Sequence, residues 1–168
     1  MTTRSALLLA CVLGFTAAGV PATAAAQVAR IDPAPTPAVA QFVMGTRLGY
    51  ITCSEKYRAY LEKYELYALM TEGQRAPEGT PPSDADVADC IHQTALRGTS
   101  LYKGAVAAAG SPKARAAFSE YMTAWDAALK TIRKPQRETV QQYRARHKQV
   151  EEKLDALQQR LESAAPSA

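Results

Sequence analysis

The stretch that decides the fold is residues 50–67, which read YITCSEKYRAYLEKYELY. Its tyrosines and its cysteine recur every three or four positions, and that repeat places them on one face of an α-helix. The members of this aromatic stripe are Tyr50, Cys53, Tyr57, Tyr60, Tyr64 and Tyr67. Five of the eight tyrosines of the chain belong to it. We therefore predict a long first helix over residues 38–72.

Proline, glycine and capping residues divide the rest of the chain into three further helices. Residues 73–83 are too rich in proline and glycine to continue the first helix. Ser83, three residues before Asp86, resembles a capping box that starts the second helix. Gly110 suits a helix C-terminus, and Ser111 suits the N-cap position of the next helix. The predicted segments are 84–109, 112–133 and 136–162.

The fourth predicted helix has the clearest apolar seam. Its members are Val140, Tyr143, His147, Val150, Leu154, Leu157 and Leu161. This coiled-coil-like seam either packs inside the protein or pairs with a second copy to form a homodimer through helix 4. The inward interpretation is favoured, because a chain of this size needs most of its apolar stripes for one core.

Short connections between four amphipathic helices favour an all-α, up-and-down four-helix bundle. We assign residues 38–163 to the bundle domain and expect residues 164–168 to be a disordered tail.

The N-terminus has the pattern of a secretory signal peptide over residues 1–26. Arg4 supplies a positive charge, a short apolar run follows, and small residues lead to a cleavage site near Ala26, with Ala24 as an alternative. The apolar run is too short for a membrane span of about 20 residues, and no second candidate span follows. We therefore expect a periplasmic or secreted protein.

Two further expectations concern the same region. Cys11 resembles the acylated cysteine of a lipoprotein, but the apolar core between Arg4 and Cys11 is too short, so lipidation is disfavoured. Residues 27–37 are rich in alanine and proline, with Pro33, Pro35 and Pro37 at alternate positions, and suit a flexible lead-in with no core of its own.

Export leaves two cysteines in the processed chain, and an oxidising compartment favours a disulfide between Cys53 and Cys90. A bridge would hold both cysteines at one level, so helix 1 would extend roughly 19 Å beyond the start of helix 2. The rings of Tyr60, Tyr64 and Tyr67 would then overhang. Residues 73–83, helices 3 and 4, or neither would cover them.

If the rings stay open, the stripe forms a groove for a peptide or an apolar ligand, with Tyr57, Tyr60, Tyr64 and Tyr67 as candidate binding residues. The alternative interpretation is an ordinary core face, because an aromatic stripe at helical spacing usually packs inside.

Motifs for chemistry are missing from the sequence. It has no Cys-x-x-Cys-His motif for covalent haem, no Glu-x-x-His motif for a carboxylate metal site, and no Gly-x-Ser-x-Gly elbow. The two histidines, His92 and His147, have no evident acidic partner. We therefore predict neither an enzyme nor a cofactor. The alternative function is a small-ligand or haem carrier, whose iron ligands would be His147 with Met44, Met70 or Met122.

Charge suggests a second candidate surface. A basic cluster around the junction of helices 3 and 4 faces a single acid, Glu138, and its candidate binding residues are Arg137, Arg144, Arg146 and Lys148. Lys130, Arg133 and Lys134 suit the C-terminus of helix 3. The predicted partner is an envelope protein or an anionic surface. Without residues 1–26 the chain carries 19 basic and 16 acidic residues, a balance that argues against a dedicated nucleic-acid binder.

The combined prediction is an exported, non-enzymatic binding or scaffolding module of the cell envelope. Its two candidate surfaces are the aromatic stripe and the basic cluster.

Overall fold

A computed structural model describes residues 37–73, 79–134 and 138–165. It contains α1 (Pro37–Met70), α2 (Ala85–Ala108), α3 (Pro112–Ile132) and α4 (Val140–Ala164), and the described residues include no β-strand. The predicted all-α four-helix bundle is confirmed. The expected signal peptide, Cys11 and residues 27–36 of the expected lead-in lie outside the described residues, as do Arg137 and residues 166–168 of the expected tail. Pro37, assigned to the lead-in, is the first residue of α1. Helix α4 ends two residues later than predicted.

Helices α2 and α3 begin within one residue of the predicted starts, but only α3 has the predicted cap. Ser111 is the N-cap of α3, and its side chain accepts a hydrogen bond from the Ala114 amide at 3.1 Å. The capping box predicted at Ser83 is wrong, because the N-cap of α2 is Asp84 and Ser83 Oγ accepts from the Ala85 amide instead. Gly110 follows the C-cap of α2 but lacks the left-handed backbone typical of a C-terminal glycine.

The fourth helix begins at Val140, four residues later than predicted. Thr139 forms a capping box with Gln142, in which each side chain accepts a hydrogen bond from the other residue's amide, at 3.1 and 2.9 Å. This reciprocal pairing satisfies two amides at the helix N-terminus and so fixes where α4 starts.

Helices α1 and α2 are antiparallel and lie unusually close together. The disulfide between Cys53 and Cys90 brings their Cα atoms to 5.6 Å, as predicted. Gly45 lies against Leu101, where an added Cβ would be 2.5 Å from a methyl group. Gly49 lies against Thr94 in the same way, at 2.6 Å. Small residues every fourth position on α1 therefore allow the close approach.

Trp125 of α3 joins three helices at the centre of the core. Its ring is fully buried, and its Nε1 donates a hydrogen bond to the carbonyl of Thr46 in α1 at 2.8 Å. The edge of the ring lies against Gly98 of α2. Phe42 packs edge-on against Phe118, with ring centroids 5.3 Å apart, and continues the core along α1 and α3.

Helix α4 closes the bundle with its predicted seam facing inward. The buried members are Val140, Tyr143, Leu154, Leu157 and Leu161. Tyr143 donates a hydrogen bond to the carbonyl of Ser54 at 3.0 Å, and Asp155 forms an ion pair with Arg47 at 2.6 Å. The inward interpretation is therefore correct. The homodimer through helix 4 stays a prediction.

None of the four described helices combines the length and the hydropathy that crossing a membrane requires.

The contact between Gly98 and Trp125 yields a prediction about stability. An added Cβ at Gly98 would lie 2.1 Å from the indole ring, so Gly98→Ala must displace the central side chain of the core. We expect a loss of about 1–3 kcal/mol in the free energy of unfolding, measured by urea denaturation.

Gly104→Ala is the matched control, because Gly104 belongs to the same helix and no atom lies within 4 Å of its added Cβ. This variant should gain up to about 1 kcal/mol from helix propensity. Equal effects of the two variants would contradict the packing described for Trp125.

Candidate functional site

A groove of about 410 Å³ opens at the end of the bundle where α1 and α3 finish and α2 and α4 begin. It is lined by Tyr57, Tyr60, Leu61, Tyr64, Glu65, Asp84, Arg133, Lys134 and Glu138. Its floor is therefore aromatic and comes from α1, whereas its rim is charged and comes mainly from residues that flank the ends of the other three helices. Three of the four tyrosines predicted as binding residues line this groove. Tyr67 does not.

The stagger of α1 and α2 creates the space for the groove. Past Cys53, α1 continues for 17 residues to Met70, about 26 Å, whereas Cys90 lies five residues into α2, about 8 Å. The last turns of α1 therefore extend beyond α2, as the sequence predicted.

Burial divides the aromatic stripe into two halves. Tyr50, Cys53 and Tyr57 are buried in the core, whereas Tyr60, Tyr64 and Tyr67 are each half-buried. Successive ring centroids from Tyr57 to Tyr67 are 5.9, 6.2 and 6.3 Å apart, so the four rings form a continuous row. The core interpretation is correct for the first half of the stripe. The second half keeps ring surface in contact with solvent.

The cover over the rings comes partly from the ends of α3 and α4. Arg133, Lys134 and Glu138 from these ends stand at the rim. Of the connection between α1 and α2, residues 74–78 lie outside the described residues, and Pro81 is exposed. Pro82 of the same connection is half-buried, and Asp84 at its end lines the groove, so the described cover comes from the connection as well as from the ends of α3 and α4.

The acidic residues of the rim also hold the bundle together. Glu65 Oε1 accepts a hydrogen bond from the Val140 amide at 2.8 Å and so caps the N-terminus of α4 from α1. Asp84 forms an ion pair with Arg133. The side chain of Lys134 is exposed at the rim and adds a positive charge beside the aromatic floor.

The basic residues predicted to form a second binding surface have different environments. Arg146 points into the protein, where its guanidinium pairs with Glu138 and donates to the carbonyls of Thr131 and Ile132 at the end of α3. Arg144 and Lys148 are exposed, at 3.4 Å from Glu62 and 4.0 Å from Glu152. Arg137 lies outside the described residues.

The expectation that this basic cluster faces a single acid is wrong. Its members form ion pairs with five acids, which lie on all four helices or at their ends. These acids are Glu62, Asp84, Asp126, Glu138 and Glu152. Sequence spacing within helices 3 and 4 did not show the acids that α1 and α2 contribute.

Arg146 and Arg144 form a matched pair for a stability test. Arg146→Gln removes hydrogen bonds that satisfy the last carbonyls of α3 and leaves the largely buried Glu138 without its cation, which should cost about 1–3 kcal/mol in the free energy of unfolding. Arg144→Gln breaks an exposed ion pair and should cost less than about 1 kcal/mol. Urea denaturation of both variants measures the difference. Similar losses would contradict the structural role assigned to Arg146.

His147 is half-buried and lies against two tyrosine rings, those of Tyr50 and Tyr143. Its Nδ1 forms a hydrogen bond with the Tyr50 hydroxyl at 2.9 Å, and its Nε2 lies 3.4 Å from Glu151. Its ring stacks on Tyr143 with centroids 5.5 Å apart. Burial lowers the pKa of His147 and outweighs the opposing effect of Glu151.

These contacts bear on the predicted haem alternative. Both ring nitrogens of His147 already face protein partners, so an iron ligand at either nitrogen would have to displace one of them. Met44 and Met70 are exposed on α1. Among the described residues, no group of three or more histidine, cysteine or acidic side chains is placed to hold a metal ion.

The lowered pKa of His147 predicts how stability changes with pH. Below the ordinary histidine pKa of about 6.5, the unfolded chain binds a proton at this site while the folded protein resists it, so acid favours unfolding. We expect the free energy of unfolding to fall as the pH drops below about 6.5. His147→Gln should flatten that part of the profile, whereas the same change at exposed His92 should leave it unaltered.

Comparison with known proteins gave no match to any family model, curated protein or solved structure. The site must therefore be judged on its geometry.

Sequence reasoning identified the floor of the groove but missed its rim. Six lining residues were not proposed as site residues: Leu61, Glu65, Asp84, Arg133, Lys134 and Glu138. The stagger from the two cysteines pointed to an overhang on α1, but it did not show which ends of α3 and α4 would face it.

Proposed function

We propose that this protein is an exported, non-enzymatic binding module of the cell envelope. Its binding surface is the groove over Tyr60 and Tyr64, and its partner is an extended peptide segment carrying proline or aromatic side chains. The observation that carries this proposal is the row of half-exposed rings on the floor of a groove of about 410 Å³.

The chemistry of the groove supports a peptide partner. Tyrosine is favoured where one side of a ring is dry and its hydroxyl stays wet, and aromatic-lined grooves recur in the recognition of proline-rich segments. The charged rim of Arg133, Asp84 and Lys134 offers donors and acceptors for a peptide backbone. The disulfide supports the proposed export, because such bridges persist in oxidising compartments.

A displayed library of random peptides tests the proposal. Selection on the wild-type protein should enrich segments rich in proline or aromatic residues. Individual enriched peptides should then lose about 10- to 30-fold in affinity for Tyr60→Ala and Tyr64→Ala, measured by fluorescence anisotropy, because buried tyrosine contacts commonly dominate peptide interfaces.

Leu96→Ala provides the control, since Leu96 is an exposed apolar residue on α2 that does not line the groove. This variant should bind the selected peptides as tightly as the wild type. The proposal fails if no peptide is enriched, or if enriched peptides bind the two tyrosine variants without loss.

A further inference from the structure

One continuous row of aromatic rings runs from the core to the end of the bundle where the groove opens. Each ring centroid lies 5.1 to 6.3 Å from the next, the range in which aromatic side chains are in contact. Tyr50 is buried at one end of the row, and Tyr67 is half-exposed at the other. The row therefore joins a buried phenol to the surface. Its members are, in order, Tyr50, His147, Tyr143, Tyr57, Tyr60, Tyr64 and Tyr67.

The buried end of the row holds a proton donor next to a proton acceptor. The Tyr50 hydroxyl lies 2.9 Å from Nδ1 of His147, and Nε2 of the same ring lies 3.4 Å from Oε1 of Glu151. A neutral imidazole whose N–H points toward the carboxylate leaves Nδ1 as the acceptor, so Tyr50 is the donor. A base at this distance can take the phenolic proton without movement of either ring. Glu151 then stabilises the resulting imidazolium.

Tyr143, in the middle of the row, is a poor resting place for the electron vacancy that oxidation leaves. Its hydroxyl donates to the carbonyl of Ser54 at 3.0 Å, and a peptide carbonyl takes no proton at neutral pH. The guanidinium carbon of Arg146 lies 5.3 Å from the centroid of its ring, and this positive charge repels a positive vacancy. A vacancy on Tyr50, which can give its proton to His147, is therefore favoured over one on Tyr143.

We propose that Tyr50 is a redox-active tyrosine, which accumulates as a neutral radical when one-electron oxidants attack the exposed rings at the other end of the row. The chemical class of oxidant is the organic peroxyl radical. The row carries the electron, and His147 takes the proton. The exposed tyrosines are thereby restored, and the radical is kept where it cannot meet a second molecule.

The electrons and protons of this step balance. A peroxyl radical takes an electron and a proton from the hydroxyl of an exposed tyrosine and becomes a hydroperoxide. An electron from Tyr50 then passes outward along the row and refills that ring, which regains a proton from water. At Tyr50 the O–H bond breaks and an N–H bond forms at Nδ1 of His147. The products are the hydroperoxide, the Tyr50 radical and the imidazolium.

The redox proposal is separate from the peptide-binding proposal. Tyr50 and His147 do not line the groove, so variants of these two residues leave the groove lining unchanged. Failure to select peptides would not affect the redox proposal, and absence of a Tyr50 radical would not affect peptide binding.

Pulse radiolysis of the full chain in azide solution tests the proposal, because azide radicals remove single electrons from exposed tyrosines. The optical absorption of the tyrosyl radical gives its lifetime. This lifetime should be about 10-fold longer or more in the wild type than in Tyr50→Phe or His147→Gln, because a positioned base commonly changes rates by about that factor or more. Glutamine at 147 can accept a hydrogen bond from Tyr50 but cannot take its proton.

Tyr121→Phe is the matched control. Tyr121 is an equally buried phenol, but its hydroxyl meets the Thr46 hydroxyl at 3.4 Å and no base. This variant should leave the lifetime unaltered. In Tyr50→Phe the vacancy stays on the exposed rings, where radicals of two molecules can couple, so dityrosine fluorescence should rise. Far-UV circular dichroism establishes that each variant is folded.

Electron–nuclear double resonance of the frozen wild-type radical tests the proton transfer without any substitution. After exchange into heavy water, the radical should couple to a deuteron that His147 donates back to the Tyr50 oxygen. A wild-type radical without this coupling would overturn the proposal. So would equal lifetimes in the wild type, Tyr50→Phe and His147→Gln, or a loss of lifetime in Tyr121→Phe as large as in those two variants.

Discussion

The close contact between α1 and α2, locked by the disulfide between Cys53 and Cys90, is the constraint on which the rest of the structure depends. Gly45 and Gly49 remove the side chains that would hold the two helices apart, and the disulfide fixes how far each helix extends past the other. Because Cys90 lies near the start of α2 and Cys53 near the middle of α1, the end of α1 cannot be covered by α2. The groove therefore arises from the placement of two cysteines.

The other helices complete the groove with residues that the fold already needs. Glu65 lines the groove and accepts a hydrogen bond from the first amide of α4. Asp84 is the N-cap of α2. Glu138 pairs with Arg146, whose guanidinium donates hydrogen bonds to the last carbonyls of α3. Helix ends carry unsatisfied amides and carbonyls, so charged side chains gather there for structural reasons. In this protein the same charges form the rim of an aromatic floor.

The sequence predicted the features that depend on one helix or on a covalent link. The spacing from Val140 to Leu161 is periodic in itself, so the fourth helix and its buried seam could be predicted without knowing any neighbour. The overhang followed from the two cysteines and the helical rise. The Thr139 and Gln142 capping box was also present in the sequence, but it was not used to place the start of the fourth helix, which was predicted four residues too early.

Features that depend on how helices are rotated against one another were not predictable. Arg144 and Arg146 are two residues apart in a basic segment, and their sequence neighbours are similar. Arg144 faces solvent, whereas Arg146 faces the end of α3, because successive helical positions point about 100° apart. Only the packing of the bundle determines which of these directions is interior. The pairing of Arg133 with Asp84 likewise joins two helix ends that are distant in sequence.

The position of Trp125 has a spectroscopic consequence. It is the only tryptophan of the chain, it is fully buried, and it contacts both α1 and α2. Its emission thus reports on the assembled core. The eight tyrosines, by contrast, are spread over the core and the groove. Selective excitation of the indole therefore follows unfolding from one central site, without an added reporter.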